Sequence, residues 1–232
     1  MECRALNAAI DSLGIQVIGM CEVENKFVIQ ELQAKLNKST FEIVHYESPD
    51  QRGIDNALIY NTAIFELIES RPIRVELGGQ SRPTRDILLV RLLENSTQQE
   101  FAVFVDHWPS RLGGEEKSKI KRITVSNILS EAISTTRKSN PEAIIVAMGD
   151  FNDHPSDESM LQLTNCDVGP CLTNFHAAFD YTDIGSYVYQ GNWEVLDQIL
   201  VNNRKSPDTH WRASQNNSGF VRYNWMMYKN EK

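Results

Sequence analysis

Four apolar stretches of this chain each deliver a side chain capable of acid, base or metal chemistry. Residues 18–21 run into Glu22, residues 145–149 run into Asp150, and residues 101–105 run into Asp106 and His107, while Asp197 lies inside the apolar run 195–201. A buried strand that ends in a carboxylate sets charge on a rigid rim, where a hard cation can offset it. Beyond Asp150 the chain continues Phe151-Asn152-Asp153. Gly149 permits close backbone approach there, and Asp150 and Asn152, at alternate positions of an extended segment, are expected to face the same side. An acid embedded in an apolar strand, as Asp197 is, needs a partner. Each residue also has a plainer reading: Glu22 as a solvated strand end, the 150–153 segment as a turn or helix cap, His107 as a packed histidine beside Trp108 and Pro109, and Asp197 as a loop cap. Strand ends that supply Glu, His, Asp with Asn, and Asp, in that order, are harder to explain by packing than any one of them alone.

The elements that must position these groups follow from periodicity. Residues 3–13 carry apolar side chains at helical spacing and stop at Gly14, residues 15–23 read as a buried strand, and residues 26–36 return to helical spacing. Short strands are expected at 41–46 and 57–60, on either side of a turn-rich stretch, residues 48–53. A hairpin is expected from strands 86–93 and 100–105 around Asn95-Ser96-Thr97. Residues 115–137 form the longest helix candidate, acidic at its start and basic at its end as the helix dipole prefers. A strand at 143–148, a short helix at 158–163 and a strand at 193–201 complete the reading. Strands alternating with helices but including hairpins imply a mixed-sheet α/β domain; two packed sheets with outer helices and one large mixed sheet both fit that count.

Composition sets the limits. The chain has 232 residues, 41% of them hydrophobic, enough for a full core, with evenly spread apolar runs, no Pro/Gly/Ser-rich linker and no internal repeat, so one domain spanning 1–232 is expected. A formal charge of −8 argues against a dedicated nucleic-acid binder, although a hydrolase gripping phosphate through a cation can be acidic overall. No apolar run approaches the length of a membrane span, and residues 1–20 lack the features of a signal peptide. The four cysteines are too few for a disulfide scaffold; free thiols at Cys166 and Cys171 are the simpler reading, and a bridge between them the alternative.

Taken together, Cys21-Glu22-Val23-Glu24-Asn25, Arg52-Gly53-Ile54 before Ala57-Leu58-Ile59-Tyr60, His107-Trp108-Pro109-Ser110-Arg111, Gly149-Asp150-Phe151-Asn152-Asp153 and Leu196-Asp197-Gln198-Ile199-Leu200 resemble, in order and approximate spacing, the endonuclease/exonuclease/phosphatase superfamily. The Trp-Pro-Ser-Arg extension after His107 resembles bacterial members of unassigned substrate. The resemblance implies a four-layer α/β sandwich, two mixed β-sheets with helices on the outer faces, and a metal-dependent phosphoesterase or nuclease. Carried over by position, it implies that Glu22 ligates Mg²⁺ or Mn²⁺, that Asp150 deprotonates the attacking water, and that Asn152 and His107 bind phosphoryl oxygens. Asp197 would orient a second histidine near the chain's end. Hard oxygen ligands without a Cys/His cluster favour Mg²⁺ or Mn²⁺ over Zn²⁺. Arg111 is a candidate phosphate contact, or else a surface ion pair; Trp108, Tyr189 and Trp193 are candidates to stack on a base or sugar; and Asp55 is a candidate to orient His107.

Two departures from the family pattern stand out. Asp106 occupies a position where relatives place a neutral Asn. An Asn-bearing strand before Glu22 and a closing Ser-Asp-His are both absent, which leads to the expectation that the domain lacks its first and last strands and that each sheet keeps an exposed edge. His45, His154, His176 and His210 lie in the wrong context to replace the missing histidine, with His154 nearest to Asp150 in sequence. Expected substrates are a phosphorylated small molecule, a lipid headgroup or a nucleic acid, the acidic charge favouring the first two. The alternative is a non-catalytic binding module that keeps the fold.

Overall fold

The computed structural model describes residues 2–37, 40–79, 81–112, 114–178 and 184–202, together with 211, 214, 218–221, 223 and 225. In chain order the elements are α1 (Glu2–Leu13), β1 (Val17–Val23), α2 (Lys26–Gln33), β2 (Phe41–His45), β3 (Asp55–Asn61), β4 (Phe65–Ile73), β5 (Ile87–Glu94), β6 (Glu100–His107), α3 (Glu115–Ser139), β7 (Ile144–Asp150), α4 (Glu158–Thr164), β8 (Leu172–Asn174), β9 (Tyr187–Tyr189), β10 (Asn192–Glu194) and β11 (Asp197–Asn202). Local chemistry sets several boundaries. Gly14, at φ 66°, ends α1 and donates its N–H to the Ile10 carbonyl, and the Asn25 side chain caps α2 by accepting from the Val28 N–H at 3.1 Å.

The strands form a three-stranded sheet in the order β1-β3-β2, a six-stranded sheet in the order β4-β5-β6-β7-β11-β8, and a β9–β10 hairpin. Pairing in the smaller sheet is antiparallel throughout. In the larger one, β6 and β7 run parallel, and α3 lies between them in sequence. Alternation along each strand divides the core. Leu58, Tyr60, Leu88, Val90, Leu92, Val103 and Val105 meet between the sheets. Leu89, Phe104, Ile145 and Ala147 face Leu129, Ile133, Met160 and Leu163 of α3 and α4, while Ala57 and Ile59 face Ile10 and Ile29 of α1 and α2. The order helix, sheet, sheet, helix is the four-layer sandwich.

Three local features differ from the sequence reading. β4 escaped it because the strand carries Glu66, Glu69, Ser70, Arg71 and Pro72 on a largely exposed edge with a register shift between Leu67 and Glu69, so it has neither clean alternation nor an apolar run. The stretch 193–201 is divided: β10 closes a surface hairpin, and β11 starts afresh at Asp197. Cys166 and Cys171 are bonded to each other between α4 and β8, where free thiols were favoured. No helix among the described residues is long and apolar enough to cross a membrane.

Gly149 governs the close of the parallel pair. It stands opposite Asp106 at φ 139°, and a Cβ there would fall on the Asp106 carbonyl oxygen. Gly149→Ala is therefore expected to cost about 2–4 kcal/mol, from steric overlap and backbone strain together, read as a lower urea midpoint; an unchanged midpoint would mean that the two strands have room to part.

Candidate active site

The two strands of the parallel pair end side by side, with His107 opposite Asp150. β11 runs antiparallel to β7 and so delivers its first residue at the same rim, with Asp197 opposite Asp150. Three candidate residues thus stand abreast on neighbouring strands. The facing sheet adds Glu22 at the end of β1, where the register with β3 slips between Met20 and Val23 and Glu22 adopts φ 58°. β1 meets the rim directly: Cys21 Sγ lies 3.3 Å from the Asp106 carbonyl oxygen, and the Glu22 charge is felt at Asp150.

Burial and crowding tune these groups. Asp150, with a side chain 26% exposed, has its pKa lifted to about 6, mainly by burial and then by the charges of Asp197 and Glu22, against the pull of the Asn152 N–H and Arg85. His107 is pushed down to about 3, first by burial and then by the positive charges of Arg85 and Arg52, so its imidazole is neutral at physiological pH. Its Nε2 lies 3.5 Å from Asp150 Oδ2, and its buried Nδ1 has no hydrogen-bond partner among the described residues. Burial also pushes the Cys21 thiol up to about 12.

Asn152 departs from the extended geometry expected of it. β7 stops at Asp150, and Asn152 turns to φ 52°, a conformation Asn tolerates, donating its N–H to Asp150 Oδ1 at 2.9 Å and its amide to the Trp108 carbonyl at 3.0 Å. The turn is clamped from below. Arg111 donates to the Asn152 carbonyl at 3.0 Å and to Asp157 at 2.7 Å, buried Arg122 lies 2.6 Å from Asp153, and Gln198 donates to the Asp153 carbonyl at 2.6 Å. Arg111 therefore braces the turn through ion pairs, the second of the two readings offered for it. Trp108 is also corrected. Its ring is 1% exposed and packs edge-on against Phe151 with centroids 4.9 Å apart, which leaves no face to stack on a substrate. Tyr189 stays exposed on the β9–β10 hairpin, and Trp193 is half-buried there.

Other expectations are resolved by partners remote in sequence. Asp55 does not orient His107: its Oδ2 lies 3.0 Å from His45 Nε2, and its Oδ1 accepts from the Ser48 N–H and hydroxyl. His45, Glu47 and Asp55 bring their ligand atoms within 4.8 Å of one another, a separate group with metal-ligating chemistry. Asp197 is exposed, not embedded, because β11 begins there, and its N–H donates to the Ser186 hydroxyl at 2.9 Å. His176 is buried and accepts from the Ile199 N–H, the His154 N–H donates to Asp157, and His210 lies outside the described residues.

Two site residues escaped the sequence reading. Arg85, 5% exposed, donates to the Trp108 carbonyl at 2.6 Å and to Asp50 at 3.2 Å, which places a buried guanidinium beside the Asn152 amide on a shared acceptor. The available signal was the charged pair Arg85-Asp86 at the mouth of an apolar strand; Asp50 looked like an ordinary turn residue.

Residues 3–230 match the model of the Endonuclease/Exonuclease/phosphatase family. The chain belongs to that family. Its members are phosphoesterases and nucleases. No curated protein matches. Among solved structures, the fold is similar to the human Nocturnin catalytic domain with bound sulfate, at TM-score 0.67 and 18% identity over 87% of this chain and 75% of that one. A mannosyl-6-phosphatase of Bacteroides thetaiotaomicron matches at TM-score 0.65 and 14% identity, covering 87% of this chain and 76% of that one. ANGEL2, a 2′,3′-cyclic phosphatase, matches at 0.67 and 13%, covering 86% and 73%.

Asp106, the departure from the family pattern, faces away from the site. It is fully buried, accepts from the Trp108 indole N–H at 2.9 Å, and has its pKa raised by burial to about 7. A carboxyl so raised favours the fold while protonated, and that contribution is lost as pH climbs from the unfolded value near 4 through 7. Asp106→Asn should match the parent in thermal midpoint near pH 4 and exceed it by roughly 2–4 °C per kcal/mol regained at pH 8; parallel melting curves across that range would exclude a buried titrating carboxyl.

Proposed function

We propose that this family member is a divalent-metal-dependent phosphoesterase working at the rim where Glu22, His107, Asp150 and Asp197 meet. The observation that carries the reading is the in-register line His107, Asp150, Asp197 across three strands, faced by Glu22. The donor set fits a hard cation: Glu22 and Asp197 are exposed carboxylates, and the negative charge of both acts on Asp150, offset in part by Arg85. Glu22 would hold Mg²⁺ or Mn²⁺, which when bound would offset the charge of the ester and polarise a phosphoryl oxygen.

The chain's own groups supply the rest. Asp150, lifted to about 6, is ionised at neutral pH yet basic enough to take a proton from the attacking water. The Asn152 amide carries two hydrogens; with one on the Trp108 carbonyl, the other is available to a phosphoryl oxygen. Neutral His107 adds a donor without formal charge, and the carboxylate of Asp197, opposite Asp150 on the next strand, helps hold the Asp150 pKa up. The acidic chain favours a phosphorylated small molecule or lipid headgroup over duplex DNA, and exposed Tyr189 offers a ring for a sugar or base.

Hydrolysis of p-nitrophenyl phosphate and bis-p-nitrophenyl phosphate with Mn²⁺ tests the reading. Asn152→Ala is expected to lower the rate about 10²–10³-fold, and Glu22→Ala to weaken Mn²⁺ binding by calorimetry. Equal Mn²⁺ affinity in the Glu22 variant would remove that residue from the metal, and absence of turnover on both esters would count against the hydrolase itself.

A further inference from the structure

A phosphate entering this rim meets Glu22, Asp150 and Asp197 on one side, while the histidine beside them is neutral. Besides the cation proposed for Glu22, positive charge reaches this rim from Arg85 and Arg52, both of which act on His107. Arg85 is buried and fastened on two sides, to Asp50 and to the Trp108 carbonyl, so its position is fixed. Arg52 differs. Its side chain is 56% exposed, and its one described contact is a long bond, 3.3 Å, from Nε to Asp50 Oδ1. The other Asp50 oxygen holds Arg85, so two guanidiniums share one carboxylate and a net positive charge remains.

The loop 46–54 that carries Arg52 is held at both ends. Asp55 accepts from the Ser48 N–H at 2.8 Å and from its hydroxyl, and the Tyr46 hydroxyl donates to the Ser70 carbonyl at 2.9 Å. Within the loop, the Arg52 N–H donates to Asp50 Oδ1 at 2.8 Å, which fixes where its side chain leaves the backbone. A planar guanidinium held through Nε keeps its two terminal nitrogens free to take a pair of phosphate oxygens.

We propose that Arg52 is a phosphoryl-binding residue of this site, its guanidinium seated against Asp50 and Arg85 and taking the oxygens of a bound phosphate beside His107. The inference rests on the rim being the phosphoester site, but it is tested by binding and so separately from turnover. Inorganic phosphate titrated into the full chain in Mg²⁺ buffer should bind, and Arg52→Ala should weaken that binding at least tenfold with an unchanged thermal midpoint. Arg52→Lys, which keeps the charge and loses the fork, should fall between. Arg74→Ala, which removes another exposed arginine paired with an acid, Asp86 at 3.5 Å, should bind phosphate as the parent does. Equal affinity in the parent and Arg52→Ala, a matching loss in Arg74→Ala, or no phosphate binding by the parent would overturn the proposal. Arg52-dependent phosphate binding without hydrolysis of either ester would uphold it while sinking the hydrolase reading.

Discussion

The rim is set by two parallel strands, β6 and β7, that run in register to their last residues, His107 and Asp150. Parallel strands cannot be joined by a tight turn, so 25-residue α3 makes the return journey and buries Leu129 and Ile133 against the sheet. Both strands then finish at the same edge. Because β11 enters from that edge in the opposite direction, its first residue joins the line with no loop to position it. The arrangement closes at Gly149, where any side chain would collide with the Asp106 carbonyl.

Trp108 is the point on which the polar groups converge. Its carbonyl accepts from both Arg85 and Asn152, its indole N–H is held by Asp106, and its ring lies against Phe151 in the core. A residue that follows the candidate histidine thus acts through its backbone and its packing. Burial does opposing things to the ionisable groups around it. It lifts the two acids Asp106 and Asp150 and depresses His107, since in every case the charged form is the one disfavoured. The outcome is a neutral imidazole next to crowded carboxylates, with guanidiniums on the other flank. Arg111 and Arg122 complete the support by holding the turn between β7 and α4 through its Asp153 and Asp157.

Sequence alone determined which strands end in chemistry. Apolar runs closing on Glu22, His107 and Asp150 report burial, because a run that avoids water lies inside and the polar residues that end it stand near its edge, although Asp106, the first after residues 101–105, is itself fully buried. The family resemblance follows from the order of those ends and carries the four layers with it; the alternation of strands and helices by itself fitted one sheet as well as two, and the structure shows two. What the tertiary structure decided is partnership. Arg111 and Trp108 stand beside His107 in sequence, yet one braces a turn and the other fills the core, whereas Arg85 reaches the site from 23 residues before Trp108 and meets Asp50 a further 35 residues back. Asp197 read as buried because its neighbours are apolar, but a strand's first residue need not share the burial of the next: Gln198 is the buried one. Periodicity measures each residue's own relation to water; which two polar groups meet depends on strands brought together by the fold, and no local pattern encodes that.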